Sequence, residues 1–247
     1  MLKGFWKLSW VETKIFVREP MGVIGSIGVP VILFLLFSRA LDVEEGGPAA
    51  SPELASRPAV FATIFIALSA VTALTAIISI YREGGILKRL RATPLTPVTI
   101  LGAHVVVKLM LTVVSLGLLL LAGKSYYPGA LDVNLLSFGG ALLVSTLSII
   151  SVGFIIASVV PTARFARPIA SAIFFPMLAV SGLFMPIDAL PPPWRMLSGA
   201  LPVTHAVSLL SGIWGGAAWS QHYDDVGALC LNFVLCSAIS ATVFRWE

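Results

Sequence analysis

Residues 82–97 read REGGILKRLRATPLTP, four cations and one carboxylate held between two long apolar runs. Which side of a membrane this stretch occupies sets the direction of every flanking run, and with it the fold. Around it, the 247-residue chain is 57% hydrophobic and only 11% charged, against about 25% charged in a soluble domain. The composition predicts an all-α membrane protein, one domain over 1–247. A net charge of +4 invites a nucleic-acid reading. That class is excluded, because the cations flank apolar runs and form no basic face on a polar domain. Cys230 and Cys236 share one apolar run and fit neither a Cys-x-x-Cys motif nor a disulfide framework, so they read as lipid-facing or packing residues. Residues 1–20 carry no cleavable signal pattern.

A crossing takes about 20 predominantly apolar residues. Six candidates follow, near 21–38, 58–81, 99–123, 135–160, 168–187 and 225–244. Pro20 suits a first helical turn, and Pro30 and Pro176 predict kinks in the first and fifth spans. Small residues in the fourth span, Gly139, Gly140, Ser145, Ser148, Ser151 and Gly153, predict close helix packing. With the N-terminus inside, the inner segments hold Lys3, Lys7, Lys14, Arg18, Arg82, Lys88, Arg89, Arg91, Arg164, Arg167 and Arg245. The outer ones hold Arg39, Arg57, Lys124 and Arg195. That imbalance predicts both termini, and residues 82–97, on the cytoplasmic side of the cell membrane. Lys108, one turn from His104 in the third span, is expected to snorkel to the inner surface.

Two segments read as neither spans nor plain loops. In residues 1–19, Lys3, Lys7, Lys14 and Arg18 fall on one stripe of a helix, with Phe5, Leu8, Ile15 and Phe16 on other faces and Glu12 interrupting them. This predicts a helix lying in the membrane interface, with Trp6 and Trp10 at headgroup depth. Residues 188–223 are broken by Pro191, Pro192, Pro193 and Pro202, yet rich in Leu201, Leu209 and Leu210. Two short helices, near 193–200 and 203–214, are expected to form an extracellular re-entrant hairpin. Leu201, Leu209 and Leu210 are its candidate outer-gate residues.

Chemistry is thin. No phosphate loop of the Gly-x-x-x-x-Gly-Lys-Ser/Thr type occurs, and no zinc-protease or esterase motif. No catalytic residue or metal ligand is assigned. His222 with Asp224 and Asp225 suggests a cation site, but two carboxylates opening a helix read better as a dipole-favoured cap. Ser181-Gly182 falls short of a rhomboid-type serine protease motif, and His104 is expected near the other membrane surface.

Within 82–97, Gly84-Gly85 break the second span, ILKRLRAT makes about two helical turns, and Pro94 and Pro97 close them. Ile86, Leu87 and Leu90 form an apolar ridge beside Lys88 and Arg91. Glu83 sits at the helix's positive end, with Arg89 and Arg91 at its negative end. Lipid alone needs neither ridge nor rigid brackets, whereas a groove on a soluble partner does. The candidate docking residues are Glu83, Ile86, Leu87, Lys88, Arg89, Leu90 and Arg91.

YREGGILKRLRATPLTP (81–97) resembles the first cytoplasmic loop of ABC-2-type permeases, the membrane subunits of ATP-binding-cassette exporters of the daunorubicin-resistance and nodulation-export kind. FFPMLAVSGLFMPIDALPPPWRMLSGALPVTHAV (174–207) resembles the same family's second signature. SLLSGIWGG, from Ser208, departs from the charged stretch that often follows it. The resemblance implies a six-helix half-transporter whose residues 82–97 are a coupling helix, working as two copies with two separate ATPase subunits. Those subunits would bind ATP and Mg; this chain would hold no cofactor. The implied substrate is an amphipathic small molecule or lipid-linked compound. A membrane scaffold without transport is the rival class, separated from it by co-purification with an ATPase.

Overall fold

The computed structural model describes residues 2–18, 20–32, 35–36, 52–85, 97–126, 134–160, 162–184 and 186–243. Every regular element among them is helical. α1 (Leu2–Arg18) leads into α2 (Pro20–Val23) and a π-helical turn at Ile24–Gly28. Val29 donates its N–H to the Ile24 carbonyl, one residue further back than in an α-helix. Pro30 explains the widening: its ring crowds the carbonyl four residues before it, and a π turn makes room.

α3 (Pro52–Glu83), α4 (Pro97–Tyr126), α5 (Leu135–Val159), α6 (Ala163–Ala179) and α9 (Tyr223–Val243) are the longer helices. α7 (Pro192–Ser198) and α8 (Pro202–Trp214) lie between α6 and α9 and are bent by 77° at their junction. Among the described residues, two stretches are long and apolar enough to cross a membrane, Leu135–Val159 and Trp219–Ser240, or three if the bent α7–α8 pair is one broken span rather than a re-entrant loop.

α5 is the central post, packed against α3, α8 and α9. Its start is fixed by Asn134, whose side-chain oxygen accepts from the N–H groups of Leu136 and Ser137 at 3.1 and 3.2 Å. The small residues of its sequence do pack. A Cβ on Gly153 would stand 2.8 Å from Val71 Cγ1 on α3, so only glycine permits that approach. Asn232 of α9 donates to Ser148 Oγ at 2.9 Å, and Cys236 donates to Asn232 at 3.3 Å. Cys230 is exposed, as are Leu231, Val234 and Leu235 of α9, the apolar outer surface of a helix whose solvent is lipid.

Three expectations need correction. The fifth apolar helix runs 163–179, not 168–187. It starts early because the Glu83 carboxylate accepts the Ala163 N–H at 2.8 Å. It stops early because Gly182 takes φ +88, a left-handed geometry that ends helices. Lys108 does not snorkel: it is buried, its ammonium 4.7 Å from the centre of the Phe16 ring. Glu12 does not interrupt an apolar face. It is 6% exposed and points with Ser9 and Phe16 towards α4, while Trp6 and Trp10 stay exposed. α1 is therefore docked on the protein through one narrow stripe.

Candidate functional site

Two regions concentrate polar groups, one at each end of the bundle. Near the start of α4, Tyr81 donates its hydroxyl to Glu12 Oε1 at 2.9 Å, and His104 Nδ1 stands 3.4 Å from Glu12 Oε2. The Tyr81 and His104 rings meet edge to face at 5.3 Å. His104 Nε2 is buried with no hydrogen-bond partner among the described residues. A cavity of about 360 Å³ opens beside this group, between Phe16, Thr72, Ile77, His104, Lys108 and Arg167.

At this end α3 stops as the sequence requires. Gly84 donates to the Ile80 carbonyl at 2.9 Å and Gly85 takes φ +64. Of the docking candidates, Glu83 is exposed and caps α6 through Ala163. Ile86, Leu87, Lys88, Arg89, Leu90 and Arg91 lie outside the described residues.

The hairpin occupies the other end. Pro191 lends its carbonyl to the N–H groups of Trp194 and Arg195, at 3.0 and 3.1 Å, and so starts α7. Arg195 turns back on Asp188, with Nη1 3.7 Å from Oδ1 and a second bond to the Asp188 carbonyl. Gly199 closes α7, and Pro202 opens α8 at a position where its missing N–H costs nothing. α8 is amphipathic, and its apolar face enters the core. Leu209 and Leu210 are fully buried there with Val203, Ala206 and Ile213. Leu201, half-buried at the corner, is not part of that cluster. The structure thus brings together two of the three leucines expected at an outer gate, inside the core. Beneath the hairpin a cavity of about 560 Å³ is lined by Ser181, Ile187, Thr204, Ser208, Ser211 and His222.

What fastens α8 is a carboxylate on the next long helix. Asp225, in the first turn of α9, accepts from three side chains. His205 Nδ1 lies 2.8 Å from Oδ1, His222 Nδ1 lies 3.0 Å from Oδ2, and Ser208 Oγ donates to Oδ2 at 2.7 Å. His205 also places Nε2 3.0 Å from the Gly199 carbonyl. Gly212 is part of the fit, since a Cβ there would collide with the His222 ring. Asp225 is thus more than the helix cap expected of it, while Asp224 faces solvent. His205 with Ser208, and His222 with Asp225, are each spaced three apart, which puts each pair on one helical face. That spacing was the available signal. No cluster of three metal ligands occurs among the described residues. Ser181 spends its hydroxyl on the Leu178 carbonyl at 2.7 Å, and His104 faces Glu12, so no nucleophile–base pair forms from them.

The sequence profile of the ABC-2 type transporter family matches residues 3–214. The chain is similar to Nodulation protein J of Rhizobium leguminosarum bv. viciae, 24% identical over 104 residues, which are 42% of this chain and 40% of that protein. It is also similar to Nodulation protein J of Rhizobium leguminosarum bv. trifolii, 26% identical over 99 residues, and of Neorhizobium galegae, 27% identical over 99 residues. Each match covers 40% of this chain and 38% of the relative. The matched region therefore spans about two fifths of the length of these relatives.

Proposed function

This chain belongs to the ABC-2 type transporter family, and we propose that it is the membrane-spanning permease subunit of an ATP-binding-cassette exporter. The family match over residues 3–214 is the observation that carries this reading. In it, six helical crossings place both termini and residues 82–97 in the cytoplasm. Two copies of the chain enclose a route near the first, second and fifth spans, and two separate ATPase subunits bind ATP and Mg. The ATPases dock on Glu83, Ile86, Leu87, Lys88, Arg89, Leu90 and Arg91. The cargo is an amphipathic small molecule or lipid-linked compound, because a route walled by apolar helices offers few polar groups for reading a fully polar one.

The bond from Glu83 to Ala163 supports a mechanical path. Closure of the ATPases would press on residues 82–97, and Glu83 would carry that displacement into α6 and on to the hairpin beyond it. α3 and α6 are packed side by side, and packed helices switch between discrete arrangements more readily than they deform. In the resting state the hairpin would close the outer mouth, with Leu209 and Leu210 as the buried anchors that seat it on the bundle; an apolar constriction excludes ions without a steric plug.

The test has two parts. Tagged chain extracted in mild detergent should bring down a cassette ATPase, and hydrolysis by the complex should rise with an amphipathic substrate. In cells, a cysteine at Ser51 should react with an impermeant reagent added outside while one at Thr93 should not, in a background lacking Cys230 and Cys236. An unaccompanied chain would make it a scaffold, and reversed labelling would overturn the orientation.

A further inference from the structure

We infer that Asp225 is the positioning residue that holds the outer hairpin shut, and that it does so through a doubly protonated His205, so that the lock weakens as the external pH rises. This rests on reading residues 188–223 as the gate of a permease.

The geometry forces the protonation state. His205 Nδ1 is 2.8 Å from a carboxylate oxygen and Nε2 is 3.0 Å from a backbone carbonyl oxygen. Both partners can only accept, so both ring nitrogens must donate, which only the imidazolium can do. Remove one proton and a nitrogen lone pair faces an oxygen lone pair. His222 needs no such state, because its bond to Asp225 can be made by a neutral ring. The tie lies where it would matter for a gate. Gly199 ends α7 at the 77° bend, His205 is in the first turn of α8, and Asp225 is in the first turn of α9. One imidazolium therefore pins the hairpin corner to the helix that follows it.

Few other charges act on this site. Arg195 on α7 is committed to Asp188. α5, packed against α8, has no ionisable residue. Arg164 and Arg167 open α6 at its far end, and Tyr81 and Glu83 close α3 at that same end. Glu53 and Arg57 begin α3. Tyr223 and Asp224 on α9 are exposed. An imidazolium held between two acceptors makes both bonds at low pH, and one of them is lost as pH climbs far enough to take a proton from the ring.

The test reads hairpin opening without needing transport. Val203, 2% exposed on the core face of α8, is replaced by cysteine in a background lacking Cys230 and Cys236. Its labelling by an external impermeant reagent is measured relative to a cysteine at Met196, which is 86% exposed. In the parent, relative labelling should rise roughly tenfold between about pH 6 and about pH 9, the scale of one charge-assisted hydrogen bond. His205→Gln should give a flat profile, and Asp225→Asn fast labelling throughout. Ser208→Ala should raise the baseline and keep the slope. If His205→Gln does not insert, His205→Lys, charged to about pH 10, should label slowly across the range. A flat parent profile, or a parent-like slope in His205→Gln or His205→Lys, overturns the inference. Because labelling requires neither ATPase nor cargo, a chain that exports nothing can still pass or fail this test.

Discussion

Two carboxylates sit at opposite ends of this bundle, Glu12 against α4 and Asp225 under the hairpin, and their surroundings differ in kind. Glu12 is sealed, with Tyr81 and His104 as its neighbours and Lys108 buried in the same cavity wall. Asp225 is only partly covered, and each of its three donors comes from a histidine or a serine near the surface. A sealed ionic group costs desolvation and resists rearrangement. One that water can reach exchanges partners at little cost. The first arrangement suits a fixed joint and the second a latch.

That contrast makes Glu12→Ala the most damaging change. It strips the acceptor from the partly buried Tyr81 hydroxyl and from the buried His104 ring, at about 3–5 kcal/mol for the two together, and should lower the melting temperature in detergent markedly. Glu12→Gln, which keeps an acceptor, should do less. Equal melting of parent and Glu12→Ala would remove the distinction between the two ends. Leu209→Asn comes next, at about 3 kcal/mol for a buried amide in place of apolar surface. Inserted protein should let resting vesicles leak potassium, and tight vesicles with normal export would make the hairpin a passive cap.

Between the two ends, Gly153→Ala should cost about 2 kcal/mol by forcing Val71 aside. Val71→Ala added to it should recover most of that loss, and additive losses in the double variant would mean that the α3–α5 contact is not the cause. The smallest stability effect belongs to Glu83→Gln. Loss of its charge at the α6 N-terminus is worth less than about 1 kcal/mol, so melting should hardly move while ATP-driven export slows. Unchanged export would remove Glu83 from the path.

How legible these features were depended on their range in sequence. Gly84-Gly85 end α3 where their local chemistry predicts, whereas the Pro191–Pro193 run, expected to stop the fifth helix, instead starts α7, and Pro202 starts α8. The start of α6 was misjudged because its cap is supplied by Glu83, eighty residues away, and no local pattern records such a partner. Glu12 looked like a flaw in an apolar face for the same reason, since Tyr81 and His104 are distant in sequence. The Asp225 cluster needs α8 and α9 to meet before its two histidine-bearing faces become one site. Leu209 and Leu210 were readable as apolar but not as core, because apolarity alone does not separate lipid-facing from protein-facing positions.

The proposal that ATPase movement enters this permease through the ridge of residues 82–97 stands or falls with Leu90→Asp. In vesicles holding the chain and its ATPase, export and ATP hydrolysis are measured together. A carboxylate on the apolar ridge would have to be desolvated at the docking surface, so the account predicts inserted, melting-competent protein whose export collapses while the ATPase still turns over. Export coupled to hydrolysis as in the parent would contradict it.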